Sequence, residues 1–526
     1  MTAKVVVAET IADAGINALR ERFDVDVAIG LDAEELADRL ADAEGLIVRS
    51  ATQVDRALIE AAPRLRVIGR AGIGVDNIDL AAATERGVLV VNAPHANTIS
   101  AAEHAMALLL AQARNIPRAH GSLTSGKWER NSFEGIELHG KTIGIIGLGK
   151  IGTLVAQRCQ AFGLRVLAYD PFVGPDRARQ LGVELMELED LLPQVDFITI
   201  HLPKTKETEN LIGGENLLKV KPGVRIVNTS RGGIVNEADL AAAIEDGRVG
   251  GAGLDVFATE PITESPLFGL PQVVVTPHLG ASTAEAQDKA GTDVASAVAA
   301  ALGGELVLSA VNVDLGRDVA DEVKRYLPVA EQLGRAFVGL ARGLGDQIVV
   351  RAEGRIAQHG LRPLKLAVLK GLMEAVSTEP VSYVNAPSLA EDRGIALDLE
   401  STEQAVEYVS EVKISGEVAG RPVSVSGSLG RKGPMMVEIM GNDVELPLSE
   451  RMLIVRNEDV PGVIGRMATY LGEQGVNIAN MVVGRSRVTG EASLMGLNLD
   501  DPLDERQVET IRSLPGIQEA TYLDLS

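Results

Sequence analysis

Cysteine is almost missing from this sequence, which has one, Cys159, among 526 residues. A single cysteine can form neither an intramolecular disulfide nor a cysteine metal cluster, so we expect a reducing, cytoplasmic environment and no metal site. Long apolar runs are also missing. No uninterrupted stretch reaches the ~18 residues of a membrane-spanning helix, and the first apolar run, Val5–Ala8, stops at Glu9, too early for a secretory signal. We therefore expect no membrane partner.

Positive charge is scarce as well. The chain has 50 Lys and Arg against 73 Asp and Glu, which gives a formal net charge of −23. Binding to nucleic acid or to an anionic membrane requires a basic surface, so neither partner is expected. An anionic substrate would need arginines of its own at the site. At roughly 100–200 residues per domain, the length predicts three or four folded domains.

Two α/β segments occupy the first part of the chain. Short apolar runs alternate with amphipathic stretches from Lys4 to about residue 91 and again from Lys141 to about residue 278, a pattern typical of βαβ units on parallel sheets. A helical pattern at 100–114, with a capping box predicted at Ser100 and Glu103, crosses between the segments. A second helical pattern at 283–301 can return the chain to the first segment.

The rest of the chain has no glycine-rich cofactor loop. From about residue 316, a long helical pattern precedes alternating strand-like runs, and a compact tail after Glu450 predicts a small βαββαβ unit. We therefore predict four domains. They comprise residues 1–98 with 284–315, residues 99–283, residues 316–450 and residues 451–526.

The strongest motif is GLGKIG at 147–152, which follows a strand-like run at 142–146 and begins a helical pattern. In such a turn Gly147 makes the bend, Gly149 lets the backbone approach a pyrophosphate, and Gly152 lets helix and strand pack closely. Asp170 stands 170 − 152 = 18 residues further on, at the end of the next strand-like run. A carboxylate at that spacing binds the ribose 2′-hydroxyl of NAD and repels the 2′-phosphate of NADP. The motif therefore predicts NAD.

Three polar side chains follow strand-like runs in the same segment: Arg231, Glu260 and His278. In open α/β sheets ligands bind at the carboxyl ends of the strands, so we expect these side chains at one edge. Oxidation of a hydroxy acid needs a base, a group that holds the base, and a cation for the carboxylate. Each residue alone is equally compatible with a structural role. Together with the dinucleotide motif they favour a dehydrogenase.

The motifs GLGKIG, VNTSRGGIVNE, GLDVFATEP and TPHLGAS resemble, in order and spacing, those of the D-isomer-specific 2-hydroxyacid dehydrogenases. The resemblance covers essentially the whole chain and is to the long members of the family. It implies an α/β fold in which a Rossmann-type NAD domain is inserted in a flavodoxin-like substrate domain, followed by an α+β intervening domain and a βαββαβ ACT domain. It also implies that His278 is the general acid/base, that Glu260 orients it, and that Arg231 binds the substrate carboxylate and carbonyl.

The resemblance also assigns residues to ligands. Those implied to line the cofactor are Gly147, Gly149, Lys150, Ile151, Gly152, Asp170, Pro203, Thr229, Ser230, Asp255, Gly280 and Ala281. Those implied to bind the substrate, including its phosphate, are Arg49, Ser50, Arg70, Asn97 and Arg231. Those implied to bind a regulatory amino acid, L-serine or another small effector, are Asn457, Asp459, Gly462 and Asn477. Asn457 stands where serine-sensitive relatives have His or Tyr. Arg431 and Lys432 are weaker candidates for an anion contact in the intervening domain.

The function implied is NAD-dependent oxidation of 3-phospho-D-glycerate to 3-phosphooxypyruvate, the entry step to L-serine, under amino-acid feedback in a cytoplasmic homotetramer. Two alternatives stay open. The chain could oxidise an unphosphorylated 2-hydroxy acid, or it could be an NAD(H)-sensing corepressor or scaffold without catalysis. The tail could also serve only to join subunits.

Overall fold

The structure, a computed structural model, describes residues 2–316, 319–378, 380–404, 407–431, 433–484 and 493–525. Lys432 lies outside these ranges. Among the residues described, no helix has the length and apolar character needed to cross a membrane.

The first sheet has five parallel strands in the order β2-β1-β3-β4-β5, which is the flavodoxin-like order. The valine- and isoleucine-rich strands β1, β3 and β4 are buried, as expected of a parallel sheet covered by helices, whereas the edge strand β2 is partly exposed. The elements are β1 (Lys4–Val7), α1 (Asp13–Arg20), β2 (Asp24–Val27), α2 (Ala33–Leu40), β3 (Gly45–Val48), α3 (Arg56–Glu60), β4 (Val67–Arg70), α4 (Leu80–Glu85) and β5 (Leu89–Asn92).

The second sheet has seven parallel strands in the order β12-β11-β10-β9-β6-β7-β8, which contains the strand order of dinucleotide-binding folds. Two helices, α5 (Thr98–Ala113) and α6 (Ile116–Thr124), lead into it. The remaining elements are β6 (Thr142–Ile146), α7 (Lys150–Ala161), β7 (Arg165–Tyr169), α8 (Pro175–Gln180), β8 (Glu184–Leu185), α9 (Leu188–Leu191), β9 (Phe197–Ile200), α10 (Gly214–Lys219), β10 (Val224–Asn228), α11 (Glu237–Glu245), β11 (Val249–Leu254) and β12 (Val273–Val275).

The next helix, α12 (Ala284–Leu302), returns the chain to the first sheet. Val294 and Val298 on this helix pack against the Gly69 backbone in β4 so closely that a Cβ at Gly69 would lie within 2.7 Å of both side chains. Both crossings between the α/β sheets, α5 and α12, are therefore helices, and the chain of the second sheet is inserted between them.

The predicted capping box at Ser100 and Glu103 is wrong. Helix α5 begins two residues earlier, at Thr98, so Ser100 lies within its first turn and not at the cap position. The Ser100 hydroxyl is instead 2.8 Å from the hydroxyl of Thr283, a residue 183 positions away that caps α12.

The third sheet is mixed, in the order β14-β13-β15-β16-β17-β18, with β13 and β14 parallel and the other neighbours antiparallel. Long helices α13 and α14 contribute its apolar cover. The elements are α13 (Asp321–Ala341), β13 (Gln347–Gly354), α14 (Arg362–Glu374), α15 (Ala386–Asp392), β14 (Ala396–Thr402), β15 (Ser410–Val418), β16 (Arg421–Gly430), β17 (Gly433–Ile439) and β18 (Asn442–Pro447).

The fourth sheet is antiparallel, in the order β20-β21-β19-β22. Its elements follow the predicted βαββαβ order: β19 (Arg451–Asn457), α16 (Val463–Glu473), β20 (Ile478–Gly484), β21 (Ser493–Leu499), α17 (Glu505–Ser513) and β22 (Ile517–Asp524). The predicted fold class is confirmed for all four sheets. The domain boundaries at residues 98, 283, 315 and 450 stay predictions.

Candidate active site

A cleft of about 980 Å³ lies where the carboxyl ends of the first sheet face loops of the second. Its lining contains residues that are distant in sequence, and they come from both α/β sheets. From the predicted site, the lining includes Arg49, Ser50, Arg70, Asn97, Glu260, His278 and Ala281. The folding pattern that places strand ends at one edge therefore brings the implied base and the implied phosphate ligands to one cavity.

His278 and Glu260 form a hydrogen-bonded pair inside this cleft. Nδ1 of His278 is 2.5 Å from Oε2 of Glu260, and about half of the imidazole surface remains exposed. The bond to Glu260 raises the pKa of His278. Burial alone would raise the pKa of Glu260, but hydrogen bonds from His278 and from the Phe257 N–H lower it. The pair therefore favours an anionic Glu260 beside an imidazole that readily accepts a proton.

The backbone of His278 is left-handed, with φ of +55°, an uncommon conformation for a residue other than glycine. Its N–H donates to the carbonyl oxygen of Asp255 at 2.9 Å. The Asp255 carboxylate accepts the next two backbone N–H groups, those of Leu279 and Gly280, at 2.7 and 2.8 Å. Asp255 is fully buried, and these contacts hold the loop that carries His278, while its predicted place beside the cofactor stays a prediction.

Arg231 follows β10 in a turn that its neighbours fix. The side chain of Asn228 accepts hydrogen bonds from the Ser230 N–H and hydroxyl and donates one to the Arg231 carbonyl at 2.9 Å. The guanidinium reaches across to the first sheet, where its Nε is 3.3 Å from Oδ2 of Asp76. Asp76 lines the cleft, whereas Arg231 does not itself line it and borders it through this ion pair.

The implied phosphate ligands concentrate positive charge on the other wall. The loop after β3 is tied down by Glu9, whose carboxylate accepts the N–H groups of Arg49 and Thr52 at 2.8 and 2.9 Å. Burial, followed by the positive charge of Arg231, lowers the pKa of Arg70. Nε of Arg70 is buried without a hydrogen-bond partner among the described residues, as is Oδ1 of Asn97. Both groups are poised to bind an anionic or polar ligand.

The glycine-rich turn has the geometry that a dinucleotide requires. Gly147 has φ of +96°, and a Cβ on Gly152 would lie 2.0 Å from the Gly147 carbonyl oxygen, so both positions need glycine. A Cβ on Gly149 would meet nothing within 4 Å, which leaves open space in front of the helix N-terminus. Asp170 closes the turn, because its carboxylate accepts the Leu148 N–H at 2.8 Å.

Other implied cofactor residues surround this turn. Thr229 follows β10, and its hydroxyl is buried without a partner among the described residues. Nζ of Lys150 lies 2.9 and 3.0 Å from the two ring nitrogens of His95 in the first α/β unit. Ile151 lies in the first turn of α7, Pro203 follows β9, and Gly280 and Ala281 lie in the His278 loop.

The sequence reading missed three functional side chains. Asp76 could have been found, because it follows Arg70 by only six residues in the same strand-end loop. Glu9 and His104 gave no comparable signal. Glu9 acts on backbone amides 40 or more positions away, and His104 on α5 contacts Asp255 and Thr276, 151 and 172 positions away. Such contacts exist only in the folded chain.

The implied effector residues do not form one site within a single chain. Asn457 ends β19 opposite Ser493, whereas Asn477 precedes β20 beside the other end of β21. The six-residue separation along β21 corresponds to roughly 20 Å. Asn457 is 3% exposed, and its Oδ1 has no partner among the described residues. Gly462, with φ of +91°, caps α16 after the loop that contains Asp459.

Comparison with known proteins decides the family. The model of the D-isomer specific 2-hydroxyacid dehydrogenase NAD binding domain matches residues 106–280, that of the D-3-phosphoglycerate dehydrogenase intervening domain matches residues 322–440, and that of the ACT domain matches residues 451–516. D-3-phosphoglycerate dehydrogenase of Mycobacterium tuberculosis is 49% identical over 508 residues, which are 95% of this chain and 96% of that one. The chain belongs to the D-3-phosphoglycerate dehydrogenase family. The enzyme of the same name from Methanocaldococcus jannaschii is 41% identical over 99% of this chain and all of its own length.

Solved structures agree for the α/β part. The TT0316 protein of Thermus thermophilus is 35% identical with a TM-score of 0.55 and covers 59% of this chain and 99% of its own. D-lactate dehydrogenase of Aquifex aeolicus, complexed with NAD and lactic acid, is 27% identical with a TM-score of 0.50 over 57% of this chain and 96% of its own. The chain is therefore an NAD-dependent oxidoreductase, as its motifs predicted. In the part of the chain that the structure covers, no group of three or more His, Cys, Asp or Glu side chains is placed to hold a metal ion.

Proposed function

We propose that this protein oxidises 3-phospho-D-glycerate to 3-phosphooxypyruvate with NAD, as the first step of L-serine biosynthesis. The observation that carries the proposal is the shared cleft: Arg49 and Arg70 line the same cavity as the His278–Glu260 pair. Because the chain carries a net charge of −23, two arginines facing one cleft indicate a binding site for an anionic ligand. The names of the relatives that match the whole chain support the same substrate.

Substrate binding divides between the two walls. Arg231 offers a planar guanidinium to the substrate carboxylate, to which it can donate two hydrogen bonds. Arg49, Ser50 and Arg70 receive the phosphate, and Nε of Arg70, which has no partner in the described part of the chain, supplies a buried donor. This arrangement holds the C2 hydroxyl between the walls, where His278 lies.

Proton transfer belongs to His278. Its Nδ1 is bonded to Glu260, which leaves Nε2 as the atom that accepts the proton of the C2 hydroxyl. The imidazolium that results is stabilised by the Glu260 carboxylate. NAD, when bound, accepts the hydride from C2. Gly147, Gly149 and Gly152 at the start of α7, together with Asp170 and Thr229, are the residues that would hold it.

Loss of the phosphate contacts tests the substrate. The double variant R49A/R70A is expected to raise the KM for 3-phospho-D-glycerate by at least a hundredfold, because two charge-assisted contacts of about 1.5–3 kcal/mol each are removed. The matched control is R64A/R66A, which removes two arginines that pair with Glu44 on the surface of the same domain. Unchanged kinetics in R49A/R70A would contradict the assignment of Arg49 and Arg70 as phosphate ligands.

The same assay separates the two alternative functions. An enzyme for unphosphorylated 2-hydroxy acids would turn over D-lactate or D-glycerate as fast as the phosphorylated acid. A corepressor or scaffold would bind NADH and give no turnover with any of them. The hydrogen-bonded pair of Glu260 and His278 argues against a corepressor or scaffold without catalysis. Arg49 and Arg70 in the same cleft argue against an unphosphorylated substrate.

The fourth sheet is proposed to bind a regulatory amino acid, L-serine or another small effector. Oδ1 of Asn457, buried and without a hydrogen-bond partner among the described residues, supports a ligand at that end of the sheet. Because Asn457 and Asn477 lie at opposite ends, two chains paired through this sheet could complete a site from Asn457 of one and Asn477 of the partner subunit. Inhibition of turnover by L-serine that N457A abolishes would support this assignment. Binding of L-serine without a change in the rate of turnover would mean that the site binds an amino acid but does not regulate the enzyme.

A homotetramer is part of the proposal. Helix α6 buries none of its residues, and with the following loop it exposes three large apolar side chains, Ile116, Leu123 and Trp128. A surface of this kind is typical of a subunit interface. Light scattering on the purified protein tests the assembly, and W128E is expected to weaken it. A cytoplasmic location is proposed on the family and on the buried, unpaired Cys159.

A further inference from the structure

We propose that His104 is a positioning residue for the reaction: from the crossing helix α5 it holds the buried Asp255 carboxylate that fixes the His278 loop. The inference rests on the proposed dehydrogenase function. His104 does not line the cleft, so it has no role in contacting substrate. Its effect runs through Asp255 to the backbone of His278.

The contacts form a continuous chain. Nε2 of His104 is 3.1 Å from Oδ1 of Asp255 and 3.0 Å from Oγ1 of Thr276. The Thr276 hydroxyl donates to the same Asp255 oxygen at 2.6 Å. Asp255 in turn accepts the backbone N–H groups of Leu279 and Gly280. One side chain therefore joins α5 to both ends of the short loop that carries His278.

The hydrogen-bond donors and acceptors around His104 determine which of its ring nitrogens carries a proton. The Thr276 hydroxyl has a single proton, which it donates to Asp255, so it can only accept from His104. An ionised Asp255 also only accepts. Nε2 of His104 must therefore carry a proton, and it is shared between the two oxygens. A side chain without a donor at this point would leave a fully buried carboxylate with fewer partners, which is costly.

Two features explain why the loop needs this support. His278 holds a left-handed backbone conformation that a non-glycine residue keeps only when its surroundings impose it. Burial raises the pKa of Asp255, whereas the hydrogen bonds from His104, Thr276 and Leu279 lower it, with a net lowering. The charge that holds the loop is thus maintained in part by His104.

Helix α5, which carries His104, also contacts the far end of the His278 loop. The hydroxyl of Ser100, one turn earlier on the same face, is 2.8 Å from Thr283, which caps the other crossing helix, α12. The loop at 276–283 is therefore held at its start by His104 and at its end by Ser100. A movement of α5 between the two α/β units would be transmitted to the position of His278.

The test compares three substitutions at one position in the full-length protein. H104L removes the donor, H104Q offers an amide nitrogen near the position of Nε2, and H104N offers one that is too short to reach it. H104L and H104N are expected to lower kcat ten- to a hundredfold, since a base displaced by about 1 Å costs up to ~10² in rate. The KM for 3-phospho-D-glycerate and the Kd for NADH are expected to stay within twofold. H104Q is expected to recover most of kcat.

The control is E103Q, which removes the exposed ion pair of the same helix with Arg158 and touches neither Asp255 nor the His278 loop, and it is expected to keep its kcat. The inference is overturned if H104L keeps the wild-type kcat, if H104Q is as slow as H104L, or if E103Q is as slow as H104L. If H104L does not fold, the comparison of H104Q with H104N decides, since they differ by one methylene. A wild-type protein without turnover would instead overturn the proposed function, and the inference with it.

Discussion

Arg231 and Asp76 form an ion pair between the two α/β sheets, with Nε of Arg231 3.3 Å from Oδ2 of Asp76. Asp76 is mostly exposed, with 77% of its side chain accessible, and it lines the substrate cleft. The guanidinium assigned to the substrate carboxylate thus already has a carboxylate beside it. A bound substrate must share or displace that contact.

Removing the charge of Asp76 should therefore improve substrate binding. D76N is expected to lower the KM for 3-phospho-D-glycerate severalfold, because the Arg231 guanidinium no longer pairs with a competing carboxylate, a contact worth about 1 kcal/mol at a solvated site. Steady-state kinetics at constant ionic strength measures the change. D288N is the matched control, since Asp288 also lines the cleft but makes no ion pair with Arg231. A raised KM in D76N would mean that Asp76 aligns Arg231 and does not compete for it.

The pH dependence should report on the His278–Glu260 pair. In the oxidation direction His278 must be neutral to accept a proton, so activity is lost as pH falls through its pKa. Glu260 raises that pKa, which places the acid limb above the usual imidazole range. In E260Q the anion is gone, the pKa of His278 falls, and the acid limb of kcat/KM is expected to move to lower pH with a lower maximum. An acid limb that stays in place would assign it to another group.

The base itself gives a sharper prediction. H278N is expected to lose about 10²–10⁴-fold in kcat while retaining the binding of NADH, because general acid–base catalysis contributes that much. Fluorescence titration with NADH provides the control for a folded cofactor site. Normal turnover by H278N would contradict the assignment of the base.

The glycines of the cofactor turn should behave differently from one another. A Cβ on Gly149 meets no atom within 4 Å, so G149A is expected to keep the Tm while raising the Kd for NADH at least tenfold. A Cβ on Gly152 lies 2.0 Å from a carbonyl oxygen, so G152A is expected to lower the Tm as well. Calorimetry and NADH titration of both variants separate the two effects. Equal NADH affinity in G149A and wild type would contradict the assignment of this turn as the pyrophosphate-binding site.

The sequence predicted most of what depends on local pattern. The strand at 142–146 has the predicted bounds and the tail has the predicted βαββαβ order, because buried runs and amphipathic periods mark them clearly. The capping box at Ser100 was wrong because its hydroxyl is satisfied by Thr283, which no local rule connects to it. Glu9 and His104 were missed for the same reason. The site residues found by motif follow strands, whereas those missed act through contacts between segments.

The most direct test is the initial rate of NADH formation by the purified protein with 3-phospho-D-glycerate, set against D-lactate and D-glycerate. We predict a kcat/KM at least a hundredfold higher for the phosphorylated acid, and loss of most of that preference in R49A/R70A. Equal or faster turnover of the unphosphorylated acids, or a preference that survives the loss of both arginines, would contradict this prediction.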